Sequence, residues 1–194
     1  VRMKEPKRAL ALADEVLKEQ PENTGLLAAK ARFQASIGQT EEAEATWRRV
    51  LDVTPLDIPA RRAVADLRLA AKDLSGAVTV LNDGVKAEPG NIELMQAIVV
   101  ATLRVQGLEA ALGVADKLSR EPSNMPNARW LRGDALMASG RFIDAVSAFA
   151  ADFRAEPGID GLTRLVGALN ASGRADQATA VLRDWMRNNP DDAA

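Results

Sequence analysis

Catalysis needs side chains able to carry it, and this sequence supplies few. Its 194 residues include no histidine and no cysteine. The commonest general base and transition-metal ligand is therefore missing, and so are disulfides and thiol nucleophiles. Carboxylate pairs remain, Glu41 beside Glu42 and Asp191 beside Asp192. Two carboxylates can share general acid–base work when both flank the same bond. Adjacent residues on a helix do not face each other, so both pairs read as solvated charge, one at a helix start and one in a tail. Neither GxxxxGK nor GxGxxG occurs, so no loop is built to cradle phosphate. A non-enzyme without cofactor or metal is expected.

The charges point to no polyanion either. Lys and Arg number 25 against 27 Asp and Glu, for a formal charge of −2. Tracking a phosphate backbone calls for a clustered basic surplus. No apolar run approaches the roughly 20 residues that span a bilayer. Hydrophobic residues make up 47% of the chain, too many for disorder, while aromatics make up only 4%. Alanine is abundant, favours helix and buries little area. Stability must then come from many close helix contacts.

Prolines punctuate the chain at Pro21, Pro55, Pro89, Pro122, Pro157 and Pro190, with spacings of 34, 34, 33, 35 and 33. Twelve residues before each stands an alanine: Ala9, Ala43, Ala77, Ala110, Ala145 and Ala178. Seventeen residues before three of them stands a glycine, Gly38, Gly140 or Gly173, and Lys72 holds that place in one repeat. Gly107 comes two residues late, which predicts a shortened turn there. Proline ends one helix and opens the next, glycine accepts the left-handed turn, and alanine lets two helices approach. Apolar stripes at helical spacing, such as Ala43, Trp47, Val50 and Leu51, lie between the punctuators.

Helices are predicted over 6–19, 24–37, 40–53, 58–71, 74–87, 92–105, 108–120, 126–139, 142–155, 160–172 and 175–188. Thr40, Asp57, Asn91 and Asp160 are candidate N-caps. The expected organisation over 1–194 is a half repeat 1–21, full repeats 22–55, 56–89, 90–122, 123–157 and 158–190, and a tail 191–194. With an unpaired first helix and no polar helix after the last, the chain is expected to be part of a longer array, or to have covered ends.

The phase of these prolines, alanines and glycines resembles the tetratricopeptide repeat, a helix A, a turn and a helix B in 34 residues. The resemblance covers the whole chain. It implies an all-α superhelix, a solenoid of about eleven antiparallel helices. The family's small helix A residue appears as Ala31, Ala65 and Gly133, with Ile98 and Val166 as departures. Its bulky helix B residue appears as Trp47, Leu81, Val114, Phe149 and Leu182, with Ala13 in the leading half repeat.

The resemblance also implies a concave groove lined by A helices, and a partner within it. Transferred residue by residue, the groove positions are Arg32, Ser36, Arg62, Asp66, Leu69, Glu93, Gln96, Arg104, Asn127, Trp130, Asp134, Thr163, Arg164 and Asn170. Both charges, amides and one aromatic suit a peptide or protein surface better than a metabolite. Each Arg has a plainer reading as solvated charge, Trp130 as packing between its own A and B helices, and Trp47 as core. Trp185, on the last helix, is expected to be exposed, and an exposed apolar end invites self-association. Gly25, Ala28, Arg32, Arg62 and Asp66 do not form the cochaperone set that clamps a C-terminal carboxylate.

The expected function is a non-catalytic protein-interaction scaffold, with no nucleic-acid partner and no membrane insertion in this segment. The alternatives are a self-assembling array and the accessory segment of a larger enzyme. Phrases such as ALADEVLKEQPEN and RWLRGDALMASGRFIDAVSAF resemble large bacterial repeat proteins associated with exopolysaccharide synthesis, export and protein sorting. That resemblance implies the periplasm or cell envelope rather than the cytoplasm.

Overall fold

The computed structural model describes residues 4–124 and 127–190. Eleven α-helices and two short 3-10 turns occur among them, and no strand. Helix contacts divide the chain into two compact units, residues 1–89 and 90–194. The boundary falls between the expected repeats 56–89 and 90–122. Each predicted helix is present, with ends that differ from expectation by a residue or two, except at the start of the eighth.

The first unit holds α1 (Lys4–Glu19), α2 (Thr24–Ser36), α3 (Thr40–Val53), α4 (Ile58–Ala70) and α5 (Leu74–Ala87). α2 pairs with α3 and α4 with α5, and α3 packs on α4. Its core joins Leu17, Leu27, Ala31, Trp47, Val50, Ala60 and Val64. Trp47 is 4% exposed, and truncating so large a buried ring costs about 3–5 kcal/mol.

The second unit holds α6 (Ile92–Gln106), α7 (Leu108–Arg120), α8 (Leu131–Ala138), α9 (Phe142–Ala155), α10 (Ile159–Ala171) and α11 (Ala175–Asn188). These form the hairpins α6/α7, α8/α9 and α10/α11. Gly107 alone links α6 to α7, which is the shortened turn expected there. A helix was expected over 126–139. Among the described residues, 127–130 form a 3-10 turn and the α-helix begins at Leu131. Neighbouring side chains tie this entry down. The Ser119 hydroxyl donates to the Ala128 carbonyl (2.7 Å), and buried Asn124 donates to the Leu118 carbonyl (3.1 Å).

Local chemistry sets the helix ends. Asn23, Asp57, Asp73 and Asn91 each accept from the backbone N–H three residues on, at 2.7–3.1 Å. Such a cap is worth about 1 kcal/mol. Asp57 and Asn91 act as expected, whereas Thr40 and Asp160 do not. Thr40 lies inside the first turn of α3 after Gln39, and Asp160 inside that of α10 after Gly158. Four of the five turns from an A helix to its B helix close the same way. In α2, the Gln39 N–H bonds back to the Gln34 carbonyl at 2.9 Å, with Gly38 between them at φ 82°. The same bond recurs as Asp73 to Arg68, Arg141 to Leu136 and Arg174 to Leu169. This is the double-bonded C-terminal turn that needs a left-handed residue.

The alanine wedge holds for Ala43, Ala77, Ala145 and Ala178, all buried. Two members of the set need correction. Ala9 is exposed, because no helix A of its own hairpin precedes it among the described residues. Ala110 is half-buried, and its neighbour Ala111 takes the wedge. The cause is length: α7 has 13 residues, whereas α3, α5, α9 and α11 each have 14. Counting back from Pro122 therefore lands one residue early. The bulky position shifts with it, from half-buried Val114 to buried Ala115. Ile98 is buried despite departing from the small-residue pattern.

Candidate functional site

In the first unit the expected face carries Arg32 and Ser36 on α2, and Arg62, Asp66 and Leu69 on α4. Arg32, Ser36, Arg62 and Asp66 are exposed, and Leu69 is half-buried. Ser36 turns inward on its own helix and donates to the Phe33 carbonyl at 2.7 Å. The Arg32 guanidinium lies over the Trp47 ring, 5.4 Å from its centroid. Between α2 and α4 opens a cleft of about 380 Å³, lined by Arg32, Trp47, Pro59, Ala63, Asp66 and Leu67. Trp47 was expected as core only. It is core, and its ring also floors this cleft. No spacing rule distinguishes a ring that is sealed from one that is roofed by a single arginine.

Other charges of this unit are spent on holding helices together. Glu44 of α3 bonds Arg68 of α4 at 3.0 Å, and Arg68 also reaches Asp73 at 3.3 Å. Arg61 donates to the Pro55 carbonyl at 2.6 Å and to the Val80 carbonyl at 3.0 Å. Arg49 donates to the Pro21 carbonyl at 3.2 Å. These bonds hold helices together within and between repeats.

In the second unit, three A helices meet at one carboxylate. Gln96 of α6 donates to Asp134 Oδ2 of α8 at 2.6 Å. Arg164 of α10 approaches the same oxygen at 3.9 Å. Burial pushes the Asp134 carboxyl above its ordinary value, and Gln96 and Arg164 offset only part of this. Trp130 lies beside this cluster and is buried, 4% exposed. It rests 6.3 Å from the Phe149 ring and is flanked by Arg129 at 4.6 Å and Arg164 at 5.9 Å. Close approach is what places it: a Cβ on Gly161 would stand 2.6 Å from the ring, and a Cβ on Gly133 would stand 2.2 Å from Phe149. Trp130 thus packs against the next repeat as well as its own. Arg129 pairs with Glu156 and was missed by sequence reasoning. Its position next to Trp130 was the only signal.

The remaining expected positions disperse. Arg104 lies in the last turn of α6 and is exposed, about 12 Å along the helix from Gln96. Asn170 is exposed near the end of α10. Asn127 donates to the Gly90 carbonyl at 2.8 Å, and Thr163 to the Ile159 carbonyl at 2.9 Å. Glu93 is exposed near the start of α6. At the far end, Trp185 is half-buried against Phe153, at 5.7 Å between rings.

No cluster of potential metal ligands occurs among the described residues, and none of their helices is long and apolar enough to cross a membrane. Glu41 and Glu42 are exposed in the first turn of α3, and Asp191 and Asp192 lie outside the described residues.

Residues 1–67 match the family model of the tetratricopeptide repeat. Anaphase-promoting complex subunit 7 of Arabidopsis thaliana is 26% identical over 187 residues, covering 96% of this chain and 33% of that protein. The chain thus spans about a third of the length of this curated relative. A tetratricopeptide repeat protein from Parabacteroides merdae has a similar structure, with a TM-score of 0.51 and 16% identity, over 96% of this chain and 75% of that one. YrrB, described as a TPR protein with an unusual peptide-binding site, gives a TM-score of 0.46 and 18% identity over 92% and 93%. The family-model match supports the tetratricopeptide reading of the repeat over residues 1–67, and the Parabacteroides merdae structure shares the helical-hairpin fold.

Proposed function

We propose that the chain is a non-catalytic scaffold that binds protein segments on its A-helix faces. The observation that carries this reading is the division of labour among charged side chains in the first unit. Glu44, Arg61, Arg68 and Asp73 are engaged in joining helices, while Arg32 and Asp66 stand exposed beside an apolar cleft. Polar groups around a concave apolar surface are what recognition requires. In the second unit the exposed polar positions Arg104 and Asn170 extend the A-helix faces, with Gln96, Asp134 and Arg164 as a braced polar floor. Trp130 packs beside that floor, with the Arg164 guanidinium 5.9 Å from its ring centroid.

A photoreactive amino acid tests the reading. Placed at Arg62 or Arg104 on A helices, it is expected to capture a partner in the native cell. Placed at Arg48 or Lys86 on B helices, it is expected to capture far less. Capture from the B positions alone would defeat the reading. The wording of the repeats further supports an envelope scaffold in exopolysaccharide synthesis, export or protein sorting. Fractionation of the native protein, with recovery from the periplasm or envelope as the expected result, tests that setting.

A further inference from the structure

The cleft of the first unit carries two charges of opposite sign that the fold leaves without an ion pair. Among the described residues, neither Arg32 nor Asp66 makes an ion pair or a side-chain hydrogen bond, unlike Glu44, Arg48, Arg68 and Asp73 around them. Arg32 comes from α2 and Asp66 from α4, so opposite walls carry opposite charges. Between them the lining is Trp47, Pro59, Ala63 and Leu67, all apolar.

We propose that this cleft docks an internal peptide segment that presents one aliphatic side chain flanked by an acidic and a basic residue. The proposal rests on the scaffold reading above and names the partner chemistry for one face of it. Size sets the first limit. About 380 Å³ corresponds to roughly a dozen waters at about 30 Å³ each, which is room for one or two side chains and not for a whole helix. The apolar lining selects an aliphatic group for that space. Charge sets the second limit. The Arg32 guanidinium lies over the Trp47 ring, 5.4 Å from its centroid, and a guanidinium offers a planar fork of donors to a carboxylate. Asp66 asks for a cation on the other wall. A segment with two acids would leave Asp66 facing a like charge, and a segment with two bases would do the same to Arg32. A free chain terminus by itself brings one charge, a carboxylate for Arg32 or an ammonium for Asp66, and the other wall still needs a side chain of opposite sign. A mixed-charge internal segment answers both walls with side chains alone.

The test uses the purified chain as probe on immobilised synthetic peptides with blocked ends. Each has a central Leu flanked by Glu and Lys, at varied spacing and in both orders. Matched sets carry two Glu, two Lys, or Ser in place of Leu, and a final set ends in a free carboxylate. The mixed-charge Leu peptides are expected to bind in one preferred order, at least about tenfold more tightly than the matched sets. Arg32→Glu or Asp66→Lys is expected to remove that preference. The double variant Arg32→Glu with Asp66→Lys is expected to bind with the order reversed, which a merely unfolded variant cannot do. Equal binding to like-charged peptides, a requirement for the free carboxylate, no binding at all, or unchanged order in the double variant each overturns the proposal. Cross-linking at Arg62 and Arg104 judges the scaffold reading separately, so the docking proposal can fail while that reading stands.

Discussion

Lys72 holds a left-handed φ of 63° at the turn where Gly38, Gly140 and Gly173 hold 77–82°. A side chain in that region costs roughly 1–2 kcal/mol, partly offset by the greater freedom glycine has when unfolded. Lys72→Gly is expected to stabilise the first unit by about 0.5–1 kcal/mol, read as a higher denaturant midpoint. Asp134 makes a second residue-scale case. Its carboxyl is raised from 3.8 mainly by burial, so the folded chain holds this proton more tightly than the unfolded chain does. The contribution favours folding below pH 3.8 and is lost as pH rises through the raised value. At neutral pH the ionised group therefore weakens the second unit, although it sits between Gln96 and Arg164. Asp134→Asn is expected to gain on the wild type in thermal midpoint as pH rises from below 3.8 to neutrality. A wild-type advantage that grows over that range would reverse the assignment.

At the scale of elements, the hairpin is defined by its helix starts more than by its prolines. Ala43, Ala77, Ala111, Ala145 and Ala178 are each the fourth residue of their helix. The short α7 keeps that register and gives up a residue at its far end. Ala111→Leu is accordingly expected to cost about 1–3 kcal/mol by overpacking, and Ala110→Leu less than about 1 kcal/mol. Chemical denaturation of the two variants side by side checks this, and the opposite ranking would restore the register counted from Pro122. The eighth helix shows the other element-scale effect. Its predicted first turn is recast as a 3-10 turn because Ser119 holds Ala128 from α7, a contact between residues nine apart that no propensity reports.

At the scale of the whole molecule, hairpins within each unit lean on one another, and the first and last helices have fewer neighbours. The bulky helix B position makes this visible: Leu81 and Phe149 are each 1% exposed, and the equivalent Leu182 on α11 is 38% exposed. On α1, Leu12 and Val16 are exposed as well. Backbone amides of α1 and α11 are expected to exchange with deuterium faster than those of α3 and α9, by mass spectrometry. Uniform protection across all four helices would mean that the ends are as firmly held as the middle.

The repeat was legible in the sequence because its causes are local. Pro21 to Pro190 stop helices by lacking a donor, Gly38 and its equivalents accept a left-handed turn, and apolar stripes mark the buried sides. Those features act within a few residues and so appear as spacing. The faces were legible only in part. That Arg32 and Asp66 lie uncommitted across one cleft, that Trp130 is consumed by packing against Phe149 and Gly161, and that Gln96 and Arg164 converge on Asp134 are decisions of tertiary structure. Each depends on which helix lies beside which, over separations of about one repeat, and a charged side chain carries no mark in the sequence of whether it will be spent on a neighbouring helix or left for a partner.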